Sequence, residues 1–357
     1  MTFLRLSFAA IAVLAATAGT PRAAPPPDAL GSWQATIGID HPLTGRIWRP
    51  GAGLFVTPEK AIGRLATVTF RLLGETHDNP DHHRLQGWAI ERLAARGLLP
   101  AVAFEMLTPE QAPALAAHRA ARPGDVTGLE TALAWSESGW PAWPLYEPVF
   151  RAALEARLPI LPANLSRERI RAVVREGAAA VLGAEEAAAL GIDGPLPAAL
   201  EDALRAELVE SHCGQLPESL AARMVEAQRT RDARMAAALF EGADRPDTDG
   251  AVLIAGNGHA RIDRGAPYYL VQRGVSSEDI LSLGFIEVSE DLRAPADYAE
   301  HFGAIALPFD LVWFTPRAER KDPCAEFAEA LERARERHEA DDPADNRAGT
   351  NETEGSD

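Results

Sequence analysis

Two loops that each contain a histidine carry the residue types best suited to chemistry. Gly74 and His77 follow one apolar run, and Gly256 and His259 follow another, so both loops share the layout strand, glycine, two residues, histidine. Imidazole and carboxylate groups can ligate Zn, Mn or Fe, or act as general acid and base. Because ligand sites in open α/β sheets form at the carboxyl ends of strands, we expect both loops to converge on one pocket.

Two carboxylates belong to the same set. Glu75 lies inside the first loop, and Glu105 follows a third apolar run, 99–104, that also reads as a strand. The set of Glu75, His77, Glu105 and His259 therefore predicts a divalent-metal or catalytic site. An alternative stays open, in which the loops are purely structural because Glu75 and His259 bond backbone amides and hold them rigid.

The elements around the first loop must position it. Residues 66–73 are rich in β-branched and large apolar side chains, which indicates a buried strand. Asn79 then suits a helix N-cap, with Pro80 at the first helical position. The spacing therefore predicts strand, tight loop and helix, in that order.

Several other side chains suit a flat apolar ligand such as haem. Tyr146 lies in a Trp- and Pro-rich segment, 135–146, which we expect to be a stiff aromatic loop over a pocket. A tyrosinate can bind haem iron, and the alternative is that Tyr146 only packs among the neighbouring aromatic rings. Arg261 could pair with a propionate or, equally, with Asp263. Met224 and Met235 could face the ligand, although methionines at helical spacing more often belong to a core.

The alternation of strands and helices predicts an α/β fold with a mixed, mostly parallel central sheet flanked by helices. A helical subdomain, 166–245, is inserted between the core segments 31–165 and 246–330, and a charged, disordered tail covers 331–357. Residues 268–271 are expected to form a strand of the second core segment.

The first residues resemble a targeting segment. Arg5 precedes an apolar region, and 16–18 (Ala-Thr-Ala) fits a cleavage site, which predicts a signal peptide at 1–18 and a linker at 19–30. No Cys occurs there, so a lipobox is absent. We expect a periplasmic or secreted protein that is soluble after cleavage.

Charge and cysteine content narrow the function further. The net charge is −17, and without a basic stripe this argues against nucleic-acid binding. The two cysteines, Cys213 and Cys324, could form one disulfide in an oxidising compartment or remain as two buried thiols. The sequence leaves both alternatives open.

Six segments together resemble the ChaN-like haem-binding uptake family of the Tiki/TraB/erythromycin-esterase-like superfamily. They are 40–48, 73–86, 212–217, 227–236, 255–261 and 322–324, and the resemblance spans residues 30 to 330 in order. It implies haem as the ligand, a role in haem or iron uptake, a homodimer and an outer-membrane haem/iron receptor system as partners.

The resemblance also implies roles for particular residues. The family's iron ligand is a tyrosine, for which Tyr146 is the best match, and the haem-binding residues would be Tyr146, His77, His259, Arg261, Met224 and Met235. Some superfamily members are metal-dependent peptidases or esterases. The alternative function is therefore a hydrolase whose divalent ion, held by Glu75, His77, Glu105 and His259, lowers the pKa of a bound water.

Overall fold

A mixed eight-stranded sheet forms the centre of the described part of the chain, which in this computed structural model comprises residues 24–322, 324–329 and 331–333. The strand order is β2-β1-β8-β7-β3-β6-β4-β5, in which the pairs β1–β2 and β1–β8 are antiparallel and the other five pairs are parallel. The strands are β1 (Ile47–Arg49), β2 (Leu54–Val56), β3 (Phe70–Glu75), β4 (Ala101–Phe104), β5 (Ile160–Pro162), β6 (Ala251–Gly256), β7 (Ile280–Glu287) and β8 (Leu311–Thr315). The predicted fold class is confirmed.

Helices cover both faces of the sheet and form the long connection between β5 and β6. They are α1 (Pro58–Leu65), α2 (Pro80–Ala94), α3 (Ala112–Ala121), α4 (Leu129–Ala132), α5 (Trp135–Ser138), α6 (Trp143–Glu155), α7 (Arg167–Glu176), α8 (Ala178–Leu182), α9 (Ala184–Leu190), α10 (Ala198–Ser211), α11 (Glu218–Ala243), α12 (Asn257–Ala260) and α13 (Ala266–Gln272). Short 3-10 turns include Pro295–Tyr298 and Glu300–Phe302. No described helix has both the length and the apolar character needed to cross a bilayer.

The centre of the sheet is apolar because both of its faces are covered. Strands β3 and β6 are buried along their whole length, which is typical of parallel strands between two helical layers. Successive side chains point to opposite faces. Leu73 therefore packs in the cluster with α2 and α6, whereas Leu72 packs in the cluster with α11 and α13.

The predicted loop and helix after β3 are confirmed. The Asn79 side chain accepts hydrogen bonds from the backbone N–H groups of Asp81 and His82, and Pro80 begins α2. The strand begins at Phe70 rather than at residue 66. The Asn79 N-cap fixes where α2 begins, and it therefore fixes the end of the loop that carries His77.

Two sequence predictions of secondary structure are wrong. Residues 268–271 lie in helix α13, whose first turn contains Pro267, and not in a strand. Residues 143–146 belong to helix α6 rather than to an aromatic loop, because Pro144 lies in the first helical turn, where its missing N–H costs no hydrogen bond. Tyr146 consequently points into the core.

The region between β5 and β6 contains helices α7 to α11, as expected for a helical insertion at 166–245, although its limits as a separate unit remain a prediction. Cys213, just after α10, forms a disulfide with Cys324, with the two Cα atoms 5.6 Å apart. The predicted signal peptide, the linker residues 19–23 and the tail beyond 333 lie outside the described residues.

Candidate functional site

The two glycine-histidine loops meet because β3 and β6 are adjacent and parallel. Glu75 at the end of β3 is the register partner of Gly256 at the end of β6. Other chain atoms approach both glycines closely. A Cβ on Gly256 would lie 3.0 Å from Cε1 of His77, and one on Gly74 would lie 2.6 Å from Oδ1 of Asn257. The predicted convergence of the two loops is confirmed.

Glu105 forms the centre of this meeting point. It is 1% exposed, and its Oε1 lies 3.5 Å from Nε2 of His259 and 4.0 Å from Nε2 of His77. Arg231 of α11 donates to the same oxygen, while the Gly256 N–H donates to Oε2 at 2.8 Å. One buried carboxylate therefore faces three basic side chains.

Each histidine is oriented by a second carboxylate. Nδ1 of His77 lies 2.6 Å from Oε1 of Glu75, and Nδ1 of His259 lies 2.5 Å from Oδ1 of Asp232 on α11. A carboxylate at Nδ1 fixes the ring, so Nε2 points to Glu105. The arrangement is two carboxylate–histidine pairs that face a common anion.

The charges of the network shift the pKa values of its members. Burial opposes protonation of His77, but Glu75 and Glu105 outweigh it and raise the pKa of His77 to about 9. Burial likewise opposes protonation of His259, while the charge of Glu105, assisted by Asp232, raises its pKa. Burial would raise the pKa of Glu105, but His259, Arg231 and His77 together hold it far below its ordinary value. At neutral pH the His77 imidazole is therefore protonated.

This charge state bears on the predicted divalent metal. A histidine must lose its proton before it can ligate a metal ion, and the Arg231 guanidinium already bonds the Glu105 oxygen that faces both imidazoles. Among the described residues no group of three His, Cys, Asp or Glu side chains is arranged to hold a metal ion. The structure gives the divalent-metal prediction no support.

A cleft of about 620 Å³ opens above this network. His77 and His259 lie on its floor, and His77 is the more open, with 39% of its side chain exposed. The opposite wall comes from the end of β7 and the two 3-10 turns that follow, and its members are Ile286, Leu292, Tyr298, His301 and Phe302. The cleft is therefore polar on its floor and largely apolar on one wall.

The structure places the other predicted site residues away from the cleft surface. Tyr146 is 0% exposed and packs on His83, with ring centroids 4.1 Å apart. Arg261 is 1% exposed and forms two hydrogen bonds to Asp263, the second of its predicted alternatives. Met235 is in the core, and Met224 is half-buried outside the cleft lining.

Sequence reasoning missed four residues of the site. Arg231 and Asp232 follow Gln228 by three and four positions on α11, so a polar stripe on an Ala-rich helix was the available signal. Tyr298 and His301 lie in short 3-10 turns, and no motif or periodicity marks them.

Comparison with known proteins identifies the family. The family described as haem-binding uptake, Tiki superfamily, ChaN matches residues 61–270. The chain belongs to this family. The match covers both glycine-histidine loops, Glu105 and the Arg231–Asp232 pair, so the whole floor of the cleft lies within it.

A solved structure of a related protein shows the same fold. The structure described as cofacial haem binding to ChaN of Campylobacter jejuni is 22% identical, with a TM-score of 0.57, and the alignment covers 75% of this chain and 95% of that one. A mutant of the erythromycin esterase EreC in its open conformation is 13% identical, with a TM-score of 0.38, over 77% of this chain and 82% of that one. No curated protein matches the chain.

Proposed function

We propose that this ChaN-family protein binds haem in the cleft above the Glu105 network and serves haem or iron uptake in the periplasm. The observation that carries the proposal is the cleft itself, which adjoins the floor shared by the matched family segment. Its volume lies within the range of about 300–1,000 Å³ usual for ligand pockets. Ile286, Leu292 and Phe302 offer an apolar wall to a porphyrin face.

Four histidine and tyrosine side chains of the cleft carry an atom that could ligate iron. Of these, His259 is 5% exposed, and its two ring nitrogens face the carboxylates of Asp232 and Glu105. His77 is protonated at neutral pH because its pKa is raised to about 9 by the network. The Tyr298 hydroxyl accepts a hydrogen bond from the Ser289 N–H at 2.9 Å, and burial raises its pKa. His301 is exposed on the wall. We therefore assign His301 as the iron ligand, with His77 as a cation on the floor.

Haem bound here would supply an iron centre that the protein can carry and release. Residues of the cleft would hold the haem. His301 would contribute an imidazole nitrogen, and Phe302 would cover the ring. The buried Tyr146 has no exposed surface with which to meet the ligand, so the assignment replaces tyrosine by histidine.

Partners and location extend the proposal. The related ChaN of Campylobacter jejuni is described as binding haem cofacially, and two haems held face to face suit a pair of identical chains. A homodimer is therefore proposed here too. Export by the predicted signal segment 1–18 would bring the chain to an outer-membrane haem/iron receptor system.

A haemin titration of the mature protein followed by Soret absorbance tests the proposal. We expect a saturable shift at about one haem per chain, with a Kd at or below about 1 μM. Absence of a saturable shift at micromolar protein would contradict haem binding. Western detection of the chain in the periplasmic fraction, and its loss when 1–18 is deleted, tests the location separately.

A hydrolase remains the second candidate because the two carboxylate–histidine pairs resemble a general acid–base set. Turnover of simple esters or peptides that is abolished by His77→Ala with His259→Ala would favour it. Metal analysis of the purified protein then distinguishes a metal-dependent reaction from one that uses only side chains, since turnover by protein that holds no bound metal removes the ion from the mechanism.

A further inference from the structure

A second cavity adjoins the haem cleft and has no role in the account so far. It encloses about 820 Å³ between the loop 36–42 and the chain that leaves β7. Glu287 and Ser289 line both cavities, so the two spaces are neighbours at the end of β7.

His41 presents a buried hydrogen-bond donor in this cavity. The residue is 8% exposed, and its Nδ1 accepts from the Leu43 N–H at 3.3 Å. The proton of the neutral ring must then be on Nε2. No described residue accepts a hydrogen bond from this buried Nε2. Buried polar atoms are normally paired, so such a donor points to an acceptor supplied from outside the chain.

Two arginines beside His41 add positive charge. Arg293 and Arg317 line the cavity, both are exposed, and neither lies within 4 Å of a carboxylate oxygen of the described residues. Burial and the nearby charge of Arg293 lower the pKa of His41, which keeps the ring neutral and its Nε2 a donor. The acceptor that suits these three groups is an anionic oxygen.

The carboxylates near the cavity define which anion fits. Glu287 is already compensated by two hydrogen bonds from Arg320 and one from Asn79. Asp40 and Glu290 also line the cavity and are exposed. This balance of charge favours a ligand with one or two carboxylates over a densely charged anion such as a phosphate.

We propose that this cavity holds the propionate carboxylates of a haem bound in the neighbouring cleft, through Nε2–H of His41 and the guanidinium groups of Arg293 and Arg317. The inference rests on the proposed function and deepens it. It also reassigns the propionate partner, because Arg261 is buried and already paired with Asp263 and Glu207. Ile37 and Ile39, both partly exposed at the cavity, would border the apolar edge of the ring.

The test compares haemin with its dimethyl ester, in which both propionates are blocked. We expect the wild-type protein to bind haemin about tenfold more tightly than the ester, since a charge-assisted contact of this kind is worth about one decade in Kd. In the double variant Arg293→Ala with Arg317→Ala, haemin should lose most of its advantage over the ester, while the ester itself should bind as before. Arg175→Ala with Arg223→Ala removes the same charge from exposed helix positions and should retain the preference.

His41 gives an independent comparison. His41→Phe removes the donor and should reduce the preference for haemin, whereas His41→Gln keeps a side-chain N–H and should restore most of it. Equal affinity of the wild-type protein for haemin and the ester overturns the inference and leaves haem binding intact. An equal loss in the control double variant also overturns it. Failure of every variant and the wild type to bind either compound contradicts the proposed function itself.

Discussion

The floor and the wall of the cleft are built in opposite ways. On the floor, Glu105 and His259 are buried, and their polar atoms are engaged by Arg231, Asp232 and the Gly256 N–H. On the wall, His301 is exposed on a short 3-10 turn. The residues that form a recognisable motif thus belong to the buried network of the floor, and the residues of the wall come from an irregular segment without a motif.

The largest effect is expected on the floor. Glu105→Gln would leave Arg231, His77 and His259 around a neutral amide, and removing one partner of a buried ionic network costs about 3 kcal/mol. Urea unfolding followed by circular dichroism measures the free energy of unfolding. Glu176→Gln, which removes the exposed partner of Arg175, is the control and should change it by less than about 1 kcal/mol. A small effect of Glu105→Gln would show that the floor is not a stabilising network.

On the wall, we expect His301→Ala to change haemin binding rather than stability. His301→Ala should leave the free energy of unfolding within about 0.5 kcal/mol of the wild type, because the side chain is exposed. It should shift the Soret band and weaken haemin binding by about tenfold, since the iron loses its protein ligand. An unchanged Soret band in this variant would remove His301 from the site.

The pKa of His77 gives a pH-dependent test of the charges on the floor. The folded-state pKa of about 9 lies above the unfolded value of 6.5. The protonated ring therefore stabilises the folded state fully below about pH 6.5, and this stabilisation is lost as the pH rises through 9. His77→Gln should lower the free energy of unfolding by about 1 kcal/mol at pH 6 and by little at pH 10. The value at pH 6 is this small because solvent screens the partly exposed ring. A cost that does not change between these two values contradicts the charge state assigned to the floor.

The smallest effect is expected at Tyr146. Its hydroxyl donates only a long hydrogen bond of 3.4 Å to the His77 carbonyl, so Tyr146→Phe should change the free energy of unfolding by less than about 1 kcal/mol. The Soret band of the haem complex should be the same as in the wild type. A changed band would mean that Tyr146 reaches the iron, contrary to the burial seen here.

The sequence predicted the parts of the site that local patterns specify. Apolar runs located β3 and β6, the Asn79–Pro80 pair located the start of α2, and the repeated glycine-histidine spacing predicted the meeting of His77 and His259. Each of these depends on neighbouring residues alone. The family resemblance followed from the same segments and is confirmed.

The remaining features depend on tertiary packing. Tyr269 belongs to a helix although aromatic residues favour strands, because α13 packs on α11 and burial overrides intrinsic propensity. Met235 points to the sheet, as the core alternative predicted for it. Arg231 reaches Glu105 across 126 positions of sequence, and no local pattern encodes a contact of that range.

Hydrogen–deuterium exchange of the mature protein with and without haemin tests most directly whether the ligand lies between floor and wall. The account predicts slower exchange on haemin binding at 286–302 and at 256–259, with no change at 143–150 around the buried Tyr146. Protection confined to 143–150, or protection absent from 286–302 in a protein that binds haemin, would contradict it.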